Sequence, residues 1–395
     1  MHVIIAGCGI AGPVAAIALQ RAGIKATIYE RRQAEVRDEG LFLSLSSNGL
    51  RALDGIGLTK ALKGAESIPT PNIAFMNADA RRLTSLPMGR LNAGVDPITL
   101  KRQILYDVLA SEARARGIEI VHGQTVAGFH NIDGGVVVSL SDGSEQTCDV
   151  LLGADGVNSS IRRQMNKGQN LARYTGLLNL GGFVGQSGLN PTLGECHMIW
   201  GRRAFFGYIV RASSEAWWFA NLGHEADPEQ SSFREGDVDR WRAELLAQFR
   251  EEPPFVRTLI NATPHISAYP IYDVPSVPAW VDERVALIGD AAHATSPSSG
   301  QGASLAIEDA AYMAVCLREI GDPTAALEHF EASRRPRAEK VVGEGRKRGM
   351  YKAPKNAASM FLRDLLMPAA LHVFGGTRAQ SWIYDYEVPQ HISTR

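Results

Sequence analysis

Residues His2–Ala6 are a short apolar run ending in Gly7-Cys8-Gly9-Ile10-Ala11-Gly12, and nothing else in this 395-residue chain restricts its fold as strongly. The alanine-rich stretch that follows predicts a helix over about Pro13–Ala22. Gly23 ends it, and Lys25–Tyr29 reads as a second strand closing on Glu30. Strand, glycine turn, helix, strand and acid occur in the order that a dinucleotide-binding βαβ unit requires. Gly7 permits the turn, Gly9 lets a pyrophosphate approach the backbone, and Gly12 lets helix and strand pack closely. Glu30 suits the hydroxyls of an adenosine ribose. The pattern predicts FAD or NAD binding, with Ala11 in the loop and Arg31 after the acid among the candidate contacts.

A second segment, Val285–Ala303, reads V-A-L-I-G-D-A-A-H-A-T-S-P-S-S-G-Q-G-A. Its apolar start predicts a buried strand ending at Gly289-Asp290. Pro297 and Gly300-Gln301-Gly302 predict a tight loop whose backbone N–H groups open a helix over Ala303–Leu317. A helix start beside a carboxylate suits a cofactor with a polyol to grip and an anionic ring to stabilise, as in flavin. His293, just after the Gly-Asp turn, reads as ordering that loop. A third strand, near Leu151-Leu152, ends in Gly153-Ala154-Asp155-Gly156, followed by Ser159 and Arg162.

Together these three motifs resemble the class A FAD-dependent aromatic hydroxylases of the para-hydroxybenzoate hydroxylase type. The resemblance covers about residues 1–174 and 266–335. It implies that Gly7, Gly9, Gly12 and Glu30 bind the ADP half of FAD, and that Asp155, Gly156, Ser159 and Arg162 lie by the pyrophosphate. It implies that Asp290 holds the ribityl chain, and that Pro297, Gly300, Gln301, Gly302 and Ala303 face the isoalloxazine. Arg102 matches an FAD-contacting arginine, and Val126 matches a backbone contact to adenine. The implied chemistry runs from reduction of FAD by NADH or NADPH, through reaction with O2 to a C4a-hydroperoxide, to hydroxylation or epoxidation of a substrate carbon. Pro297, Gly300, Gln301 and Gly302 would then form the environment of the flavin peroxide. No general base is assigned; Tyr208, Tyr272 and His197 are candidates by location. An oxidase or reductase on the same scaffold, or a flavin protein that only binds a ligand, remains an open alternative.

The expected fold is α/β: a Rossmann-type FAD-binding domain interleaved with a mixed or antiparallel β-sheet substrate domain, plus C-terminal helices. The FAD-binding domain takes 1–70, 98–174 and 275–350, the substrate domain 71–97 and 175–274, and the helical segment 351–395. A helix is expected over Thr99–Ala115. Strands near Glu119–Val121 and Val136–Leu140 are assigned to the FAD domain, and Asp142-Gly143 predicts a hairpin into Glu145–Val150. Leu177–Phe183, His197–Trp200, Ala204–Val210 and Glu215–Leu222 read as antiparallel strands roofing a pocket over the flavin. Phe183, Met198, Trp200, Phe206, Tyr208 and Trp218 are its candidate lining residues, though strand side chains alternate and about half must face elsewhere. Relatives that act on benzoates carry an arginine where this chain has Gly181. The resemblance therefore implies a bulkier aromatic or apolar molecule: a phenolic, polyketide-like, indole or quinolone compound.

A net charge of −1 gives no basic footprint for nucleic acid. The widely spaced Cys8, Cys148, Cys196 and Cys316 form no CxxC pair, and no metal constellation occurs. No signal peptide or transmembrane span is read, so a cytoplasmic monomer or homodimer is expected. Ala357–Phe374, broken by Arg363-Asp364 and Pro368, reads as an amphipathic helix packed on the protein through its Leu/Phe/Met face, with membrane or partner contact as the lesser alternative.

Overall fold

A computed structural model describes residues 1–33, 41–89, 95–225, 227, 237–350, 357–374 and 377–392. Its first layer is a six-stranded sheet in the order Val281–Asp282, Val285–Leu287, Val150–Gly153, His2–Ala6, Lys25–Glu30, Glu119–His122. All neighbours are parallel except the first pair. Val150–Gly153 and Val285–Leu287 are buried throughout, as expected of parallel strands covered on both faces. The first helix, Ala11–Arg21, begins inside the glycine loop and packs on a long helix, Gly302–Glu319.

The second large sheet has seven strands in the order Ser267–Asp273, Arg173–Val184, Ala216–Gly223, Phe205–Val210, Glu195–Trp200, Asn72–Met76, Arg82–Pro87. It is antiparallel except where Glu195–Trp200 runs parallel to Asn72–Met76. Helices Val238–Gln248 and Pro254–Ala262 cover one face with Trp241, Leu245, Phe249, Val256, Leu259 and Ile260.

Three expectations need correction. The Thr99–Ala115 helix begins only at Arg102, because Ile98–Lys101 is a strand paired with Phe42–Leu45 and Ser67–Pro69. Thr99 and Leu100 are fully buried in that pairing, so tertiary contacts override local helix preference. The hairpin at Asp142-Gly143 forms as expected, with Gly135–Leu140 lying between Val126–Ile132 and Glu145–Cys148 in a separate three-stranded antiparallel sheet. Its second strand is shorter than expected: Glu145–Val150 divides after Cys148, with Val150 starting a central parallel strand.

The third concerns the Ala357–Phe374 helix, which forms with Pro368 inside it. Four of its large apolar side chains do not pack inward: Phe361, Leu362, Leu365 and Leu366 are exposed. The helix is anchored instead by buried Met367 and by Arg363, which donates to the Trp200 carbonyl at 2.9 Å.

Candidate active site

The three motifs converge because their turns interlock. Gly7, at φ +106°, has the Ala154 carbonyl oxygen 2.5 Å from where a Cβ would stand, so the first loop lies directly on the strand end before Asp155. A Cβ on Gly289 would lie 3.2 Å from the Ala11 Cβ, and one on Gly302 would lie 4.0 Å from Asp290 Oδ1. Arg162, fully buried, donates to the Ala291 carbonyl at 2.8 Å and to the Val157 carbonyl at 2.5 Å, tying the Asp155-Gly156 turn to the Asp290–His293 helix. Asp155 caps Ser160–Met165: its Oδ2 accepts from the Ser160 N–H at 2.7 Å, while its buried Oδ1 has no partner. Val126 lies alongside, its carbonyl accepting from the Ser160 hydroxyl at 3.4 Å.

Glu30 is buried. Burial would raise its pKa, but N–H donation from Arg32 and Cys8 and the Arg32 charge hold it below the usual carboxylate range. Arg32, which the sequence reading passed over, reaches this carboxylate; Arg31 stands exposed beside it. Arg102 Nε donates to the Tyr106 hydroxyl at 2.6 Å, and both Arg102 and Arg32 lie against the Tyr106 ring, so Arg102 closes on the Glu30 side of the cradle.

The chain fits FAD on three observations. A Cβ on Gly9 would meet nothing within 4 Å, which leaves an open approach to the loop backbone. Neither Ala11–Arg21 nor Gly302–Glu319 carries a side-chain cap or a first-turn acid, so both helix starts present N–H groups and positive dipole ends to an anion. Asp290 stands half-buried beside the second start.

The Pro297 loop is braced from behind. Pro297 opens a single 3-10 turn, and Gly300 follows at φ +62°. A Cβ on Gly345 would meet Thr295 Oγ1 at 2.8 Å and Ser299 Cβ at 2.9 Å, so the long helix Pro323–Met350 rests directly on this loop. Gln301 turns its side chain inward, donating to Ser46 Oγ and accepting from Asn48 Nδ2, both at 2.9 Å. The same Asn48 amide donates to Glu308 at 2.7 Å. Glu308 accepts from Arg334 and Arg337, and Asp309 accepts from Arg334 Nε at 2.8 Å, from the Gly289 N–H at 3.0 Å and from His293 at 2.5 Å. Glu308, Asp309 and Arg334 are all fully buried. The sequence reading missed this network; its signal was two adjacent acids inside an otherwise apolar helix.

The seven-stranded sheet divides the candidate lining residues. The register aligns Phe183 with Trp217, Gly181 and Gly207 with Phe219, Phe205 with Asn221, and Met198 with Gly207. Phe183, Met198 and Trp200 therefore share one face with Trp217, Phe219 and Phe205. Phe42 of the neighbouring small sheet meets that face, 5.9 Å from Trp217 and 5.6 Å from Phe219 between ring centroids. Phe206, Tyr208 and Trp218 belong to the opposite face, packed with Phe249, Phe255 and the helices, and are withdrawn as lining residues. Tyr208 and His197, joined at 3.0 Å, share that far face and are withdrawn as bases; burial also pushes the Tyr208 phenol up to about 12. The Tyr272 hydroxyl donates to Asp227 at 2.6 Å, and burial with that carboxylate raises its pKa. At Gly181 a Cβ would meet the Trp218 carbonyl at 2.3 Å and Leu41 at 2.7 Å, so the position is closed to a side chain.

The family described as FAD binding domain matches residues 1–344. The chain belongs to this family, within the class A flavoprotein hydroxylases, and is an FAD-dependent enzyme. It is 33% identical to aurachin C monooxygenase/isomerase of Stigmatella aurantiaca, over 93% of this chain and 94% of that protein. It is 31% identical to an FAD-dependent urate hydroxylase of Mycolicibacterium vanbaalenii, over 88% of each. Among solved structures, Klebsiella pneumoniae HpxO complexed with FAD and uric acid superposes with a TM-score of 0.82 at 26% identity, covering 93% of both chains.

Proposed function

We propose that this chain uses NADH or NADPH and O2 to hydroxylate or epoxidise a bulky, uncharged aromatic or apolar small molecule. The observation that carries the substrate class is the sheet face bearing Phe183, Met198, Trp200, Phe205, Trp217 and Phe219. It is aromatic, has no charged side chain at these register positions, and is closed to an arginine at Gly181. The cations that touch it, Lys101 over Phe183 and Trp217 and Arg211 over Trp217, are both already paired with Glu215, so the wall suits an apolar ring system better than a small carboxylate.

FAD, when bound, supplies the hydride acceptor and the oxygen activation. The protein's own groups divide the remaining work. The Gly7–Gly12 backbone with the Ala11–Arg21 helix start would hold the pyrophosphate, with Glu30, Arg102 and Val126 around the adenosine half. Asp290 would accept from the ribityl hydroxyls. The N–H groups of Gly302 and Ala303 would face the negative charge that develops on the reduced ring, where fixed dipoles need no reorganisation. Pro297 and Gly300 would shape the ceiling that excludes water. Asp155 and Gln301 act at one remove: Asp155 caps a helix and Gln301 fixes the loop to Ser46 and Asn48.

The reading is tested by following NAD(P)H oxidation by the holoprotein across phenols, indoles, quinolones and polyketides, with hydrogen peroxide measured in parallel. The expected result is a compound that accelerates oxidation, releases little peroxide and gains one atom from labelled O2. Fast oxidation with full peroxide release for every compound would favour an oxidase; no reduction with any compound would reject NAD(P)H as donor.

Two substitutions probe the assigned roles. Asp290→Ala is expected to weaken FAD by about 1–3 kcal/mol, the range for a charge-assisted hydrogen bond; an unchanged FAD affinity in equilibrium titration would remove Asp290 from the site. Pro297→Gly is expected to retain FAD yet raise the peroxide released per NAD(P)H consumed. Unchanged coupling would reduce Pro297 to a turn residue.

A further inference from the structure

One pair of amides interrupts the aromatic face of the seven-stranded sheet. The register places Tyr269, Asn179, Asn221 and Phe205 in a row across four adjacent strands. Strand side chains alternate, so this row shares its face with Phe183, Trp217 and Phe219. The opposite face carries Leu178, Leu180, Ala220 and Leu222, all buried. Asn221 is only 2% exposed. An amide buried that deeply among aromatics is costly unless it is partnered. Its Nδ2 donates to Asn179 Oδ1 at 3.0 Å and to the Ala220 carbonyl at 3.4 Å. The first of these bonds fixes the turn of the Asn179 amide: the oxygen faces Asn221, and the NH2 is left to donate elsewhere. Asn179 is half-buried, and among the described residues its NH2 has no acceptor.

The pair lies between the two parts of the structure that bound this face. Leu177, two residues before Asn179 on the same side of the strand, has its Cδ1 3.8 Å from where a Cβ on Gly349 would stand, and Ser298 Oγ lies 3.6 Å from that same point. Gly181, two residues after Asn179, is closed by Leu41. Asn179 therefore sits between the Pro297 loop and the Leu41–Phe42 side of the wall. A donor fixed in an apolar wall selects differently from the wall itself. Aromatic packing accepts any ring system of suitable shape, whereas the fixed donor favours one that carries an acceptor and is left unpaired by one that does not. No free charge accompanies it, since Lys101 and Arg211 are bound to Glu215. The matching group is a neutral oxygen or nitrogen acceptor, such as a ring carbonyl.

We propose that Asn179, held in place by Asn221, is a specificity-determining residue that donates to a carbonyl or other neutral acceptor on the aromatic substrate. The proposal rests on the reading of this face as the substrate wall. The test titrates the FAD-loaded protein, without NAD(P)H, with 1-tetralone and with tetralin, which share one frame and differ by a carbonyl, and follows the flavin absorbance. 1-Tetralone should bind about tenfold more tightly than tetralin, the scale of one hydrogen bond in a desolvated site. Asn179→Leu, close in size, should bring the two dissociation constants together while FAD content and melting temperature stay unchanged and tetralin binds at least as tightly. Asn179→Asp keeps an acceptor for Asn221 and removes the NH2, so it should lose the preference for 1-tetralone as well. Equal binding of the two compounds by the unaltered protein, or a preference that survives Asn179→Leu, would overturn the proposal and leave the amides a packing pair in an intact pocket. If neither compound perturbs the flavin, the substrate wall lies elsewhere and the proposal falls with the reading beneath it.

Discussion

Gly9→Val is expected to give a folded, soluble and nearly colourless protein. A Cβ at Gly9 would meet no protein atom within 4 Å, so the substitution costs the chain itself little. The branched side chain would occupy the approach to the loop and hold a pyrophosphate away from its N–H groups. Losing two charge-assisted hydrogen bonds at about 1.5–3 kcal/mol each corresponds to FAD binding at least about a hundredfold weaker. Gly12 belongs to the same motif and should fail differently. A Cβ there would stand 2.0 Å from the Gly7 carbonyl oxygen, so Gly12→Val should disrupt the loop and lower the melting temperature as well. Flavin absorbance after gel filtration, with melting of the apoprotein, separates the two outcomes. A yellow Gly9→Val protein would place the cofactor elsewhere.

Arg334→Leu is expected to be the most destabilising single change in the molecule. It removes the cation shared by two fully buried carboxylates, leaving Glu308 with Arg337 alone and Asp309 with His293. Stranding buried charge in this way costs about 3–5 kcal/mol, against a total stability of about 5–15 kcal/mol for ordinary domains. Denaturant unfolding measures the loss. Adding Asp309→Asn to Arg334→Leu should recover part of it, because one stranded charge then disappears. If Arg334→Leu unfolds like the unaltered protein, the network does not hold the site.

The same network sets an acid limit. Burial pushes the Asp309 carboxyl up, but His293 and Arg334 beside it and the donors around it bring it down to about 2, below its ordinary value of 3.8. A depressed carboxylate contributes stability above its unfolded pKa and loses it as pH falls through the folded one. The Asp309 contribution should therefore fade between about pH 4 and pH 2. Its loss releases the Gly289 N–H and His293 together, so FAD should dissociate in the same interval.

The nucleotide-binding framework was legible in the residues because it depends on local chemistry. A strand that ends in glycine, a helix start without a capping side chain and an acid closing the next strand each announce themselves within a few positions. The aromatic strands of the second sheet were legible too, by their β-branched and aromatic composition. What the sequence left open was the partner of each side chain. Alternation stated that half of the aromatics face away; only the register against Trp217 and Phe219, and the packing of Trp241 and Phe249 on the opposite face, decided that Phe183 belongs with the first set and Tyr208 with the second.

Thr99–Lys101 reads as helix locally and is a strand because Phe42–Leu45 lies beside it. The Glu308–Asp309–Arg334 network joins residues about twenty-five positions apart in sequence to Asn48 and Gln301. The Ala357–Phe374 helix was readable, but not its outward apolar stripe. The sequence by itself determined where the cofactor loops lie, since backbone conformation and helix ends are local properties. Tertiary structure decided which face each strand and helix turns to the site, because that choice rests on long-range packing and on which buried charge finds its counterpart.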